Sequence, residues 1–219
     1  QCGDMIKLDI GCGMNKRQPQ PGEDQTPWIG VDQFSFGGKV DVLLRVGVKD
    51  NVVVDDNGDP IISPFRRWPW EDNSVDEIYS SHFIEHLDRF ERIHFFNETY
   101  RILKPDARML LIAPHSFSER AYGDPTHQWP PVTGFMCYYL GKQGRLQMNP
   151  GTDIDNWPLG YSCNFEAAWG YSLHGALQTK AQEVREYAQT FYKEAIQDIQ
   201  IQCIKRVMPA AQPAAQPPG

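Results

Sequence analysis

Short apolar runs separated by polar turns rich in Gly, Pro and Asp recur along this chain, and in two places they give way to apolar positions that return every three to four residues. Runs of the first kind read as buried strands, and stretches of the second kind as helices. MIKLDI (5–10) is a strand that runs into a turn at Gly11 and Gly13. WIGVD (28–32), VDVLLRV (40–46) and DEIYSS (76–81) follow as the second to fourth strands. MLLIA (109–113), the most hydrophobic of all, is the fifth, residues 165–173 the sixth, and the alternating 199–207 the seventh. Helical spacing covers 83–103, closed by Pro105, and 179–197.

Strands alternating with helices imply an α/β protein with a doubly wound, mostly parallel seven-stranded sheet, which binds its ligands beyond the C-terminal strand ends. One domain is expected over 1–208. Residues 47–66, rich in Asp, Asn and Pro, read as a surface insertion. Periodicity fades from 115 to 158 apart from a possible helix near 132–140, and a long irregular stretch of this kind suits a substrate-side loop. PAAQPAAQPPG (209–219) is low-complexity and reads as an extended tail, with a partner that reads polyproline as the alternative. On the 179–197 helix, Val184, Tyr187, Ala188, Phe191, Ala195 and Ile196 share one stripe. Packing on the core is the expectation there, and a homo-oligomer face the alternative.

Composition narrows the function. The net charge of −7 leaves no basic stripe to neutralise a phosphate backbone, so nucleic acid is a poor substrate. The five cysteines are odd in number and scattered, with no CxxC pair, which suits reduced thiols in a cytoplasm. No apolar run approaches the roughly 20 residues of a membrane span, and no signal-peptide layout opens the chain. A soluble, cytoplasmic protein is expected.

The chemistry concentrates in KLDIGCG (7–13) and IGVD (29–32). A glycine turn after the first strand lets backbone approach a ligand, and an acid ending the second strand is placed to accept hydrogen bonds from ribose hydroxyls. Here the chain resembles the class I S-adenosylmethionine-dependent methyltransferases, in the broad family whose first motif reads hDhGCG. Asp9, Gly11 and Gly13 match that motif, and Asp32 matches the ribose-binding acid. The blocks WPWEDNSVDEIYSSHFIEHL (68–87) and NETYRILKPDARMLLIAPH (97–115) resemble the family's next two. The resemblance implies a Rossmann-like methyltransferase fold, S-adenosylmethionine as cofactor, and a binding set of Asp9, Gly11, Cys12, Gly13, Asp32, Gln33, Ser81 and His82. Two departures stand out. Pro19, Pro21 and Pro27 require the helix after the first motif to be short or replaced by a loop, and Arg45 stands where such families often carry an acid.

His82, Glu85 and His86 form HxxEH, which alone matches an inverted zinc-protease motif. Its place inside a methyltransferase block favours cofactor contact, chiefly by His82, and helix packing; the resemblance leaves a divalent metal as the alternative, since some members of the family hold one with acids and His at this position. No metal is called for, because the sulfonium is already an activated leaving group. In the segment 115–129, His115 or His127 is a candidate general base, and Asp124 a candidate orienting group or substrate contact. GDPTH can equally be a turn with a capping Asp. Tyr122, Trp129, Tyr138 and Tyr139 are candidate walls of an acceptor pocket.

The expected activity is methyl transfer to an acceptor of the small-molecule, sugar or protein class. The rival reading is a non-catalytic binding or assembly protein with a vestigial or sensing cofactor site. A nucleotide-linked oxidoreductase is excluded, since Lys16 stands where GxGxxG needs its third glycine.

Overall fold

The computed structural model describes residues 4–46, 65–148, 150 and 160–206. The insertion expected over 47–66 therefore lies almost wholly outside the described residues, as do the tail and residues 151–159. Strands β1 (Lys7–Ile10), β2 (Trp28–Asp32), β3 (Val42–Leu43) and β4 (Val75–Ser81) lead to helix α1 (Arg89–Ile102) and strand β5 (Leu103–Pro114). Three short helices follow, α2 (Arg120–Gly123), α3 (Cys137–Leu140) and α4 (Lys142–Met148). Strand β6 (Glu166–Leu173), helix α5 (Gln182–Phe191) and strand β7 (Ile196–Ile204) close the chain.

The seven strands form one sheet in the order β3-β2-β1-β4-β5-β7-β6. β1 to β5 are parallel, and β7 runs antiparallel to both β5 and β6. All four residues of β1 are buried, so both faces of the sheet are covered at its centre. Leu8, Ile10, Ile78, Met109 and Leu111 join Phe95 and Phe96 of α1 in the hydrophobic core. The opposite face, carrying Lys7, Asp9, Trp28 and Tyr79, is roofed by an irregular segment where a first helix would otherwise lie. The proline-rich stretch 14–27 lays the Arg17 guanidinium 4.4 Å from the Tyr79 ring and 5.2 Å from Trp28, and Lys7 Nζ donates to Asp24 O at 2.9 Å. The expected shortening of the first helix is thus complete.

Element boundaries moved for identifiable reasons. The stretch 83–103 is a single 3-10 turn at Ile84–His86 followed by α1, because Asp88 begins a capping box: its Oδ1 accepts from the Phe90 and Glu91 amides while Glu91 Oε2 accepts from its own. Pro105 does not close that helix. Leu103 already has extended backbone, and Pro105 lies within β5, which is seven residues longer than the apolar run. α5 stops at Phe191 because Tyr192 is extended, and Glu194, at φ +66°, then turns the chain, so Ala195 and Ile196 are buried just before and at the start of β7 and not by the helix. The expected core packing of α5 fails as well: Val184, Tyr187 and Phe191 are 49%, 55% and 65% exposed, and Ala188 alone of that stripe within the helix is buried. The third strand keeps two of its seven expected residues.

Candidate active site

The C-terminal ends of β1 and β2 are bound to each other directly. Gly11 N donates to Val31 O at 2.8 Å, and Gly13 N donates to Asp32 Oδ2 at 3.0 Å. Asp32 Oδ1 also accepts from Phe34 N, at 3.2 Å. Gly11 and Gly13 both have positive φ, +76° and +53°, but their surroundings differ. A Cβ at Gly11 would lie 2.3 Å from the Phe83 ring, whereas a Cβ at Gly13 would meet nothing within 4 Å. Gly11→Ala is therefore expected to cost about 3 kcal/mol in denaturant unfolding, backbone strain plus overpacking, against about 1 kcal/mol for Gly13→Ala, which suffers strain alone. Equal losses would show that Phe83 yields freely.

The other sequence-assigned contacts divide by position. Gln33 is exposed and Ser81 half-buried at the strand ends, beside His82, whose backbone has φ +53°. Cys12 Sγ lies over Gly30 and donates to Gly13 O at 3.7 Å, and its thiol is pushed up to about 11 by burial. Asp9 is 3% exposed beneath the 14–27 segment, where Oδ2 accepts from Arg17 N at 2.7 Å. That bond ties the loop to the sheet.

Burial raises the Asp9 pKa to about 6, against the backbone hydrogen bond and positive charge of Arg17, which lower it. A folded-state pKa above the unfolded value of about 3.9 stabilises the protein below that value, and the contribution is lost as pH rises through about 6. Asp9→Asn keeps a neutral acceptor for the Arg17 amide. It is expected to match the parent in urea unfolding near pH 4 and to exceed it by about 2–3 kcal/mol near pH 7.5. Equal stability at both pH values would refute a buried, charge-disfavoured carboxylate.

Beyond the ends of β4 and β5 opens a polar cavity of about 820 Å³, lined among others by His82, Glu85, His86, Arg120, Asp124 and His127. Asp124 and His127 meet there as expected, with Oδ2 3.8 Å from Nε2. The GDPTH turn is real as well, since Asp124 Oδ1 accepts from Thr126 N and Oγ1. His115 belongs elsewhere. It is 6% exposed on a separate cavity, its Nδ1 accepts from Phe117 N at 3.2 Å, its ring packs edge-on against Phe117 and Tyr171, and burial lowers its pKa. Of the four aromatics, Trp129 and Tyr139 line a third cavity of about 600 Å³, mostly apolar, while Tyr138 borders the His115 cavity and Tyr122 a smaller one.

Arg92, which looked like one more charge on a helix, joins the two walls of the polar cavity. It is 4% exposed and donates to carbonyls on both sides: Ile84, Leu87 and Glu85 at the head of α1, and Gln128 and Pro130 on the loop. No local pattern in the sequence marks it. Gln128 N donates to Glu85 O at 2.7 Å and completes the join.

The fold is shared with S-adenosylmethionine-dependent methyltransferases. Residues 47–111 match the family described as methyltransferase domain. The chain superposes on an S-adenosylmethionine-dependent methyltransferase from Archaeoglobus fulgidus with a TM-score of 0.56 and 22% identity, covering 93% of this chain and 87% of that one. It is also similar to the structure of a Haloferax volcanii complex between the Trm112 methyltransferase activator and a putative methyltransferase, at a TM-score of 0.47 and 11% identity, with 93% and 83% covered. No curated protein matches the chain by sequence. Among the described residues no helix is long and apolar enough to cross a membrane.

Proposed function

We propose that this protein binds S-adenosylmethionine across the ends of β1, β2 and β4 and transfers its methyl group to an acceptor held in the polar cavity beyond β4 and β5. The observation that carries the reading is the tie between Gly13 N–H and the Asp32 carboxylate: it holds a glycine turn and a ribose-accepting acid at neighbouring strand ends. Asp32 retains lone pairs beyond those used by Gly13 and Phe34, so it can still accept from ribose hydroxyls. Gly13 offers open space for close backbone approach. His82 lines the polar cavity from the end of β4, which sets acceptor and cofactor side by side.

S-adenosylmethionine, when bound, supplies the activated methyl group. The chain's own task is then to orient the acceptor and receive its proton, and Asp124 and His127 are the groups placed for that. The acidic, histidine-rich wall suits a small molecule, a sugar or a single protein side chain better than a long polyanion. Calorimetric titration of the full chain with S-adenosylmethionine and S-adenosylhomocysteine is the test. Micromolar binding of both supports the reading, and a folded protein that binds neither is instead a non-catalytic relative with a vestigial site.

A further inference from the structure

Glu85 has an incompletely paired carboxylate. Its side chain is 5% exposed, one oxygen lies 3.4 Å from His82 Nδ1, and the other, Oε2, is buried with no hydrogen-bond partner among the described residues. A carboxylate oxygen withdrawn from water without a partner is costly, and the ordinary remedy is a cation. A carboxylate oxygen of Glu85 and one ring nitrogen each of His86 and His127 lie within 4.8 Å of one another, facing the polar cavity.

Neighbouring hydrogen bonds fix which nitrogens are free. The one hydrogen of the Thr126 hydroxyl goes to Asp124 Oδ1 at 2.7 Å, so Thr126 Oγ1 must accept from His86 Nδ1 at 2.9 Å. His127 Nδ1 lies 3.3 Å from Ala121 O, a carbonyl that can only accept. Both rings are thereby held with Nδ1 protonated and the lone pair on Nε2. Orientation of a ligating imidazole through its other nitrogen is the usual companion of a metal site. Arg92, bound to carbonyls on both wall segments, fixes the loop carrying His127 against the turn carrying Glu85 and His86.

We infer that Glu85, His86 and His127 form a binding site for a divalent transition-metal ion. Two imidazoles and one carboxylate suit Zn²⁺, Mn²⁺ or Fe²⁺ and leave coordination positions open towards the cavity. Asp124 stands at its rim, 3.8 Å from His127 Nε2. An oxygen donor of the acceptor fits those open positions, and the ion would lower its pKa; with the ion bound, His127 is a ligand and the proton-accepting role proposed above falls to Asp124 alone. The metal site itself stands on its own geometry; only this use of it rests on the methyl-transfer reading.

The test uses chelator-stripped full chain titrated with Zn²⁺ by calorimetry and with Co²⁺ by visible absorption. One ion per chain and a Co²⁺ ligand-field spectrum are expected. Both should be lost in Glu85→Gln and His127→Gln, with affinity down at least about 100-fold, and Thr126→Val should weaken binding about tenfold by releasing the His86 tautomer. Thermal melts of each metal-free variant separate ligand loss from unfolding. Absence of stoichiometric binding, or binding that survives both ligand variants in folded protein, overturns the site. S-adenosylmethionine binding without metal binding would sink this inference and leave the methyltransferase reading intact, and the converse would do the reverse.

Discussion

Arg92→Met is expected to destabilise the protein by about 3–5 kcal/mol, a fall in melting temperature of about 10 °C, although a methionine fills nearly the same space. The guanidinium is buried among five carbonyl oxygens and no carboxylate pairs with it directly. Its burial lowers its pKa, yet arginine stays charged in proteins, so the cost of desolvating it is offset by those carbonyls together with the nearby charges of Glu85 and Asp88. Removing it leaves several carbonyls without a donor, each a penalty of about 1 kcal/mol or more. Arg92→Lys keeps the charge but cannot span both wall segments with one ammonium, and is expected to recover about half the loss. The exposed neighbour Arg89 serves as control, with Arg89→Met within about 0.5 kcal/mol of the parent. A similarly small effect at Arg92 in urea unfolding would show that the loop is held by other contacts.

Asp32→Ala is expected to weaken S-adenosylmethionine binding by about 100-fold or more. Two ribose hydroxyls on one carboxylate are charge-assisted hydrogen bonds of about 1.5–3 kcal/mol each, and about 3 kcal/mol in total already corresponds to two powers of ten. The same substitution releases the Gly13 amide, so part of the loss would come from a looser glycine turn. Asp32→Asn separates the two contributions. Its amide oxygen still accepts from Gly13 at the expense of the Phe34 N–H bond, so most of the stability should be retained while affinity falls by an intermediate factor. Calorimetry against S-adenosylhomocysteine, alongside a melting curve for each variant, reads both. Undiminished affinity in a folded Asp32→Ala protein would remove the ribose contact from the proposal.

The strand ends were legible because they are local. An apolar run halted by Gly11 and Gly13, and a second halted by Asp32, mark their own boundaries, and β2 lies where its sequence put it. Helix limits were less legible. The apolar stripe of 179–197 continues through Ala195 and Ile196, and only the turn at Glu194 and the pairing of β7 with β6 place Ile196 in a strand. Pro105 looked like a helix stop because proline cannot continue a helix, but it is equally tolerated where a strand begins.

HxxEH illustrates the limit for the site. Its spacing alone could not distinguish cofactor contact from ligation, because the third partner, His127, lies 41 residues beyond His86 and reaches it through a loop without periodicity. His115, closer in sequence to the fifth strand and so apparently the nearer candidate, turns into an aromatic cluster on another cavity.

By itself, then, the sequence determined the sheet's alternation, the glycine turn and acid at the first two strand ends, and the absence of room for a first helix, since each depends on backbone chemistry within a few residues. The tertiary structure alone decided the burial of Glu85 with an orphaned oxygen, the pairing of His86 with His127, and the role of Arg92 in joining them, because burial and long-range contact are properties of packing that no short stretch of chain encodes.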